Sequence, residues 1–522
     1  MQAFYRLFIA LLVFTGIVAC EKQVQVGKPI IAFNFNNSLK NTGMATTAIY
    51  GPQSVSYAFE KKDTCVDLSL NAASRKALSV KLNDNFSLHD YNGFTISCWV
   101  KKHPNDPESY TILSHTKNDS LGWKGWKIQT QANGAWQWSF SDGLEKWHYK
   151  PTTKQRINDN NWHQLAFSYN ANKQEARLYH NGKNVAIYSL PGIVFKVNNP
   201  TIIIGNDSIN TDETDLFNGY IDDLMVWARV INDDEIKAIA KQKNNIKIHK
   251  HEADETIKVM TWNLWDDGIH DGRYVGIQRI IELIRDANPD LVFLQEADKA
   301  SISIADELNY LLYKRSDNLC LLSRFPIVNT HNVFNSNVSA CIEVALDDKN
   351  TLIACPIRLS EEPMLDSYIG SQAAQVDSIY KWEAETRGKE SRFLLSELSP
   401  FIQMANEKPI IIGGDFNSGS HLDWTEANVS NKLGFAIEFP SSVNFLKKGL
   451  HDSFRILYPN ETKHPGHTRP LRGDTMLPNR TSFIYYKGNK IIPTQSTVMT
   501  NHPNGFPSNQ AAVLTTFSWL ND

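Results

Sequence analysis

Asn263, Glu296, Asp415 and Asn417 each stand at or near the C-terminal end of an apolar run: IKVMTWNLW (257–265), LVFLQEAD (291–298) and PIIIGGDFN (409–417). Short runs rich in β-branched residues read as buried strands, and strands present the residues at their ends on a sheet rim. An amide and carboxylates gathered at one rim suit a hard divalent cation together with a phosphate oxygen. Each residue alone has a plainer role, because Asn and Asp also cap strands and helices. The set, taken in this order, points further than any member of it.

The elements around these residues alternate. VGIQRIIELIRDANPD (275–290) has apolar residues at helical spacing and stops at Asn288-Pro289. LCLLSRFPIV (319–328), TLIACPIRL (351–359), NRTSFIYYKG (479–488) and AAVLTTFSW (511–519) read as strands, and EAETRGKESRFLLSELSPFIQMA (383–405) as one long helical stretch. The order predicts two sheets packed on each other with helices outside.

The first half is written differently. GFTISCWVKK (93–102), WKIQTQ (126–131), WHQLAFSYN (162–170) and ARLYHNG (176–182) alternate with period two between polar turns. That pattern predicts an antiparallel sandwich, with Asn181-Gly182 as a hairpin turn. Asn232-Asp233-Asp234-Glu235 opens a short helix. The divisions are a leader over 1–19, a tether over 20–28, an all-β domain over 29–242, a polar linker over 243–256 and an α/β domain over 257–522, for which family resemblances imply a jelly-roll sandwich and a four-layer sandwich respectively.

Charge is nearly balanced, 53 Lys+Arg against 56 Asp+Glu for a net −3, so nothing suggests a polybasic nucleic-acid binder. The start, MQAFYRLFIALLVFTGIVAC, has one arginine ahead of an apolar run too short for an ordinary membrane span. Ile17-Val18-Ala19-Cys20 resembles the bacterial lipobox. The resemblance implies cleavage before Cys20, lipidation of Cys20, export, and anchoring to the cell envelope at the outer membrane. The other cysteines are Cys65, Cys98, Cys320, Cys341 and Cys355. Export would permit a Cys65–Cys98 bridge without requiring it, and the last three read as small core residues.

FNFNNSLKN (33–41), FTISCWVKK (94–102), NNWHQLAFSYN (160–170), RLYHNGK (177–183) and YIDDLMVWARVINDDEI (220–236) resemble laminin-G-like, concanavalin-type jelly rolls. The resemblance implies glycan or protein binding, sometimes with calcium (Ca). Asp222 and Asp223 are the calcium candidates. With no third acid to join them, a turn and a helix-cap neighbour are the preferred roles. Trp123, Trp126 and Trp136 are candidates for stacking on sugars, although tryptophan in a sandwich more often belongs to the core.

TWNLW, PDLVFLQEAD, LLSRFPI and PIIIGGDFN in sequence resemble the endonuclease/exonuclease/phosphatase superfamily, the DNase-I-like fold. GLHDSFRILYP (449–459), PGHT (465–468) and the lead-in to the last strand extend the likeness. The resemblance implies phosphoester cleavage with magnesium (Mg), or manganese (Mn) in its place. Asn263 matches the asparagine beside metal and phosphate, Glu296 the metal-ligand glutamate, Asp415 the aspartate acting on the attacking water, and Asn417 the phosphate-holding asparagine. Four other positions depart from the pattern. Arg358 replaces a histidine, Ser482 an aspartate, and Asn509-Gln510 the final Asp-His.

Neutral Asn509 withholds a charge from any cation, leaving Glu296 as the only expected anionic ligand. Gln510 carries no proton near neutral pH, and a lost general acid or base costs roughly 10²–10⁴-fold in rate. Arg358 adds a planar cation suited to phosphate, so Arg358, Asn417, Asn509 and Gln510 are the expected ligand contacts. His421, His464, His467 and His502 lie near the site by sequence and are candidates to take over proton transfer, although each reads first as a surface-loop histidine. These exchanges favour a domain that holds a phosphorylated small molecule with catalysis lost or weakened, over an active metal-dependent phosphodiesterase, phosphatase or nuclease. Nucleic acid is the disfavoured ligand, and nothing fixes the oligomeric state.

Overall fold

The computed structural model describes residues 24–520, apart from 46–47, 51–54, 61–62, 74, 82–87, 89–90, 105, 121, 193–196, 198–200, 208–214, 244–254, 363–374 and 472–476. The leader with Cys20, and most of the expected linker, lie outside the described residues.

The first half is the expected sandwich. One layer pairs Gly93–Lys102 with His163–Asn170 and with Gly219–Trp227, all antiparallel. The facing layer carries Thr111–Asp119, Gly122–Thr130 and Trp136–Asp142. Period-two alternation drives Trp126, Trp138 and Phe140 from one layer, and Phe94, Ile96 and Phe167 from the other, into a common core. Asn181 and Gly182 both hold positive φ, as a two-residue hairpin of the primed type needs. Asn232 and Glu235 cap each other reciprocally, side chain to backbone, at 2.9 and 3.1 Å.

The second half is two sheets with helices outside. Along Thr256–Asn263, Ile257 and Val259 face the second sheet while Met260 and Trp262 face the helix Arg273–Ala287. That helix buries Ile277, Ile280, Ile281 and Ile284 and ends at Asn288, ahead of Pro289. The second sheet, holding Thr351–Arg358, Ile410–Asp415 and Ser482–Lys487, packs its other face on helices through Leu394, Leu395, Ile402 and Phe445. The single long helix expected over 383–405 is instead three: Val376–Glu385, Arg387–Glu397 and Ser399–Gln403. Thr386, at φ −107° and ψ −100°, breaks the first from the second, and Pro400 sits in the first turn of the third.

The sequence gives no sign of how the halves meet. The edge strand Lys183–Ser189 of the sandwich pairs in parallel with Leu311–Ser316, aligning Ala186 with Leu312 and Tyr188 with Lys314. Two sheets thereby become one of fourteen strands, and two exposed edges are removed. Asp306 locks the joint by accepting from Thr152 N at 2.8 Å, Thr152 Oγ1 at 2.6 Å and Gln155 Nε2 at 2.8 Å.

Candidate functional site: an arginine-capped carboxylate pocket

Two glycines bring Asp415 into place. A Cβ on Gly414 would stand 1.8 Å from the carbonyl oxygen of Ile357, so only glycine lets the neighbouring strand lie this close. The register then sets Arg358, Asp415 and Ser482 side by side across three strands. From the other sheet, Asn263 lies beside Gln295, next in chain to Glu296. Glu296 and Asn417 hold left-handed φ of 52° and 47°, which bends each chain as it leaves its strand.

The four retained residues converge. Asn263 Nδ2 donates to Glu296 Oε1 at 3.0 Å and to Asp415 Oδ2 at 2.9 Å. Asn417 donates its backbone N–H to Asp415 Oδ1 at 3.0 Å, and its Nδ2 to the Leu359 carbonyl at 3.0 Å. Asp415 is fully buried. It keeps a partner at the position of the missing histidine, since Gln510 Nε2 donates to its Oδ2 at 2.9 Å. Gln510 therefore holds the carboxylate in position and has no proton to exchange with it.

Arg358 turns to the carboxylate. Its Nη2 lies 2.8 Å from Glu296 Oε1 and 3.4 Å from Glu361 Oε2. The other oxygen of Glu296 accepts from Asp266 N at 3.1 Å. Burial works to raise the Glu296 carboxyl, but the Asn263 hydrogen bond and the Arg358 charge outweigh it and hold the group below its ordinary value. Glu296 and Asp415 in turn stabilise the Arg358 guanidinium against its own burial.

These donors do not fit a divalent cation. Both Glu296 oxygens are engaged, one by a guanidinium, and Asn509 brings no charge. A hard cation wants several free, anionic oxygens. Among the described residues, the acidic cluster arranged to hold an ion is in the other domain.

None of the four candidate histidines hydrogen-bonds to Asp415, Asn263 or Glu296 among the described residues. His421 pairs with Ser442 Oγ at 2.8 Å, His464 packs on the Tyr458 ring, and His502 meets Glu282 at 3.0 Å. Burial pushes the His467 imidazole down to about 4. Sequence reasoning missed Arg469, which directly follows the quoted PGHT. Its Nη1 lies 3.2 Å from Asn417 Oδ1 and brings a second guanidinium to the rim. It also missed Trp265, whose N–H donates to Asn263 Oδ1 at 2.9 Å and whose indole stacks on His270 at 3.6 Å.

In the sandwich, Asp63 supplies the third acid that the sequence reading lacked, which corrects that expectation. Ligand oxygens of Asp63, Asp222 and Asp223 lie within 4.8 Å of one another. Lys243 Nζ already sits among them, 2.9 Å from Asp223 and 3.4 Å from Asp63, and bonded to Asp222. Trp126 and Trp136 are fully buried core residues and offer no sugar platform, while Trp123 carries Lys127 over its ring at 5.1 Å. Cys65, Cys98, Cys320, Cys341 and Cys355 are free and buried.

Residues 76–237 match the concanavalin A-like lectin/glucanases superfamily, and residues 260–482 the endonuclease/exonuclease/phosphatase family. A Caenorhabditis elegans protein, uncharacterized protein F14F9.5, is 26% identical over 302 residues, covering 51% of this chain and 92% of that one. Humanized D. rerio TDP2 is similar at 15% identity and a TM-score of 0.36, over 51% of this chain and 99% of that one. The human Nocturnin catalytic domain with bound sulfate is similar at 17% identity and a TM-score of 0.36, over 52% and 94%. The receptor binding domain of botulinum neurotoxin C/D mosaic serotype is similar at 19% identity and a TM-score of 0.33, over 41% of this chain and 51% of that one. The chain therefore joins a concanavalin-like, laminin-G-type domain at 76–237 to an endonuclease/exonuclease/phosphatase domain of the DNase-I-like fold at 260–482.

Proposed function

We propose that the second domain binds a phosphorylated ligand without a divalent cation, and that its capacity for phosphoester hydrolysis is lost or much weakened. The observation carrying this reading is the Arg358–Glu296 pair, which places a permanent, chain-borne cation against the one acidic residue expected to hold a metal. Arg358 and Arg469 supply positive charge, Asn417 a polar contact, and Asp415 is fixed by three donors, with no imidazole among them. The first domain then captures a glycan or protein partner, and the lipobox-like Cys20 tethers the whole to the bacterial cell envelope.

The test is calorimetry with inorganic phosphate in excess chelator. Binding persists without added metal, and Arg358→Gln weakens it about 10–100-fold, the worth of a charge-assisted hydrogen bond. The second reading, an active metal-dependent phosphodiesterase, rests on the retained Asn263–Asp415–Glu296 contacts. Turnover of a generic phosphodiester with magnesium or manganese, abolished by both Asp415→Ala and Glu296→Ala, would establish that reading instead.

A further inference from the structure

Two of the buried cysteines face each other across a β-ladder. Ala340 donates its N–H to the Pro356 carbonyl at 3.0 Å, Ile342 aligns with Ala354, and Ser339 bridges to Ile357. That register sets Cys341 directly opposite Cys355. Antiparallel ladders alternate hydrogen-bonded pairs with closer, non-bonded ones. Ala340 and Pro356 are a pair of the first kind, so Cys341 and Cys355 are one of the second, with Cα atoms about 4.5 Å apart. A disulfide needs a Cα separation of about 4.4–6.8 Å. Both side chains enter the same apolar layer, with Leu394, Leu398 and Ile402, and the two thiols share a hydrogen bond.

The other described cysteines are not placed to pair. The Cys65–Cys98 bridge that export would permit is ruled out by the sheet. Strand Gly219–Trp227 lies between Asp63–Asp67 and Gly93–Lys102, and two strand spacings, about 9.6 Å, exceed the reach of about 7 Å. The two also pack on different clusters, Cys65 on Trp99 and Trp162, and Cys98 in the sandwich core. Cys320 directs its thiol at the Ala297 and Ser316 carbonyls, both at 3.6 Å.

The opposed pair joins two strands with different duties. Thr351–Arg358 presents Arg358 to the pocket. Cys341–Ala345 pairs on its other side with the edge strand Ile327–His331, which the first domain holds. Arg177 Nη1 donates to the Ile327 carbonyl at 3.1 Å, and Asn332 Nδ2 to the Lys173 carbonyl at 3.1 Å. A covalent link here would fasten the strand bearing Arg358 to the edge that the sandwich grips.

Timing follows from burial. Both thiols are fully buried, and burial pushes the Cys355 thiol up, so the closed fold keeps them from exchanging. The hairpin itself is local, closed by Asn350 donating its N–H to Asp347 Oδ1 at 2.7 Å. The two cysteines can therefore meet early, before the helices cover them.

We infer that Cys341 and Cys355 are a dithiol pair that closes to a cross-strand disulfide as the chain folds in an oxidising compartment, clamping the domain-contact edge to the strand that carries Arg358. The oxidant is a donor disulfide, of the thiol–disulfide oxidoreductase or small-molecule class. The Cys341 thiolate attacks one donor sulfur and releases one donor thiol. The Cys355 thiolate then attacks the Cys341 sulfur of the mixed disulfide and releases the second. The two cysteine protons end on the two released thiols, and the donor takes up both electrons.

The experiment refolds the reduced whole protein from urea, in one arm with mixed oxidised and reduced glutathione and in the other with reductant alone. Thiols are then counted by maleimide labelling in fresh urea, and linked peptides are identified by mass spectrometry. The glutathione arm is expected to lose two labelled thiols and to yield a peptide joining Cys341 to Cys355. Added dithiothreitol should take at least about 100-fold longer to open this bridge in the folded protein than in urea, because exchange there needs local opening. Equal thiol counts in the two arms would overturn the inference, as would a bridge between any other two cysteines in place of this one. The comparison needs no substitution and no export, so it stands apart from the phosphate-binding and envelope readings.

Discussion

Nη2 of Arg358 stands 2.8 Å from Oε1 of Glu296, across the space between two facing sheets. A metal brought to Glu296 would have to displace a tethered guanidinium that costs no cation from solution. The same carboxylate also accepts from Asn263 and Asp266, so both Glu296 oxygens are already engaged.

This pair has a definite pH signature. Glu296 is held below its ordinary 4.5 when folded and regains that value when unfolded. Its contribution is therefore complete above about 4.5 and is lost as pH falls through the lower folded value. Glu296→Gln should cost about 1–2 kcal/mol at pH 7, a figure reduced because the pair is partly exposed to solvent. Urea unfolding of parent and variant should show the gap closing below pH about 4.5. A gap that stays constant from pH 7 to 3 would mean the pair is not formed.

Hydrolysis should be recoverable only when Arg358 is also changed. Asn509→Asp with Gln510→His restores the carboxylate and the imidazole, but Glu296 stays covered by Arg358. The triple variant with Arg358→His should gain at least about 100-fold in phosphodiester turnover with manganese over the double variant, the usual scale of a general acid–base contribution. Equal rates in double and triple variants would show that Arg358 does not block the metal position.

Much of this was legible in the chain. GDFN and the QE pair located Asp415, Asn417 and Glu296 because strand ends have a simple relation to sequence, and Asn263 followed from the same rule. Orientation was not legible. Nothing in PIRL says whether Arg358 turns to a ligand or to Glu296, because the choice depends on a carboxylate 62 residues away. Asp63 escaped notice beside Asp222 and Asp223 for the same reason, as it comes from a strand far off in sequence. The parallel pairing of Lys183–Ser189 with Leu311–Ser316 was invisible because any apolar edge strand could have accepted the partner.

Gly414→Ala tests how the site is held. The new methyl would meet the Ile357 carbonyl oxygen at 1.8 Å, and backbone at that distance cannot step aside. Forcing the strands Thr351–Arg358 and Ile410–Asp415 apart should cost about 3 kcal/mol or more, at the upper end for overpacking, and should move Asp415 off Asn263. Thermal melts should show the loss, and phosphate affinity should fall with it. A variant of parental stability would mean that the two strands do not lie this close.

Asp306 is the test of the joined architecture. Its carboxylate is the acceptor for Thr152 N, Thr152 Oγ1 and Gln155 Nε2, and Gln155 in turn accepts from the buried Trp136 indole at 2.9 Å. Burial raises the Asp306 carboxyl in spite of these bonds, which marks how little water reaches it. Asp306→Ala takes the acceptor from the Thr152 N–H and hydroxyl and leaves Gln155 Nε2 with Tyr149 Oη alone, each unmet donor costing about 1–3 kcal/mol where water cannot replace it. Asp306→Asn keeps one carbonyl oxygen and should lose less. The parent should unfold in a single denaturant transition, because the strands Lys183–Ser189 and Leu311–Ser316 belong to one sheet. In Asp306→Ala the transition should split in two, with amide exchange rising first along those two strands while the rest of each core stays protected. One undivided transition in Asp306→Ala, with those amides exchanging no faster than in the parent, would show that the sheet pairing alone holds the halves together.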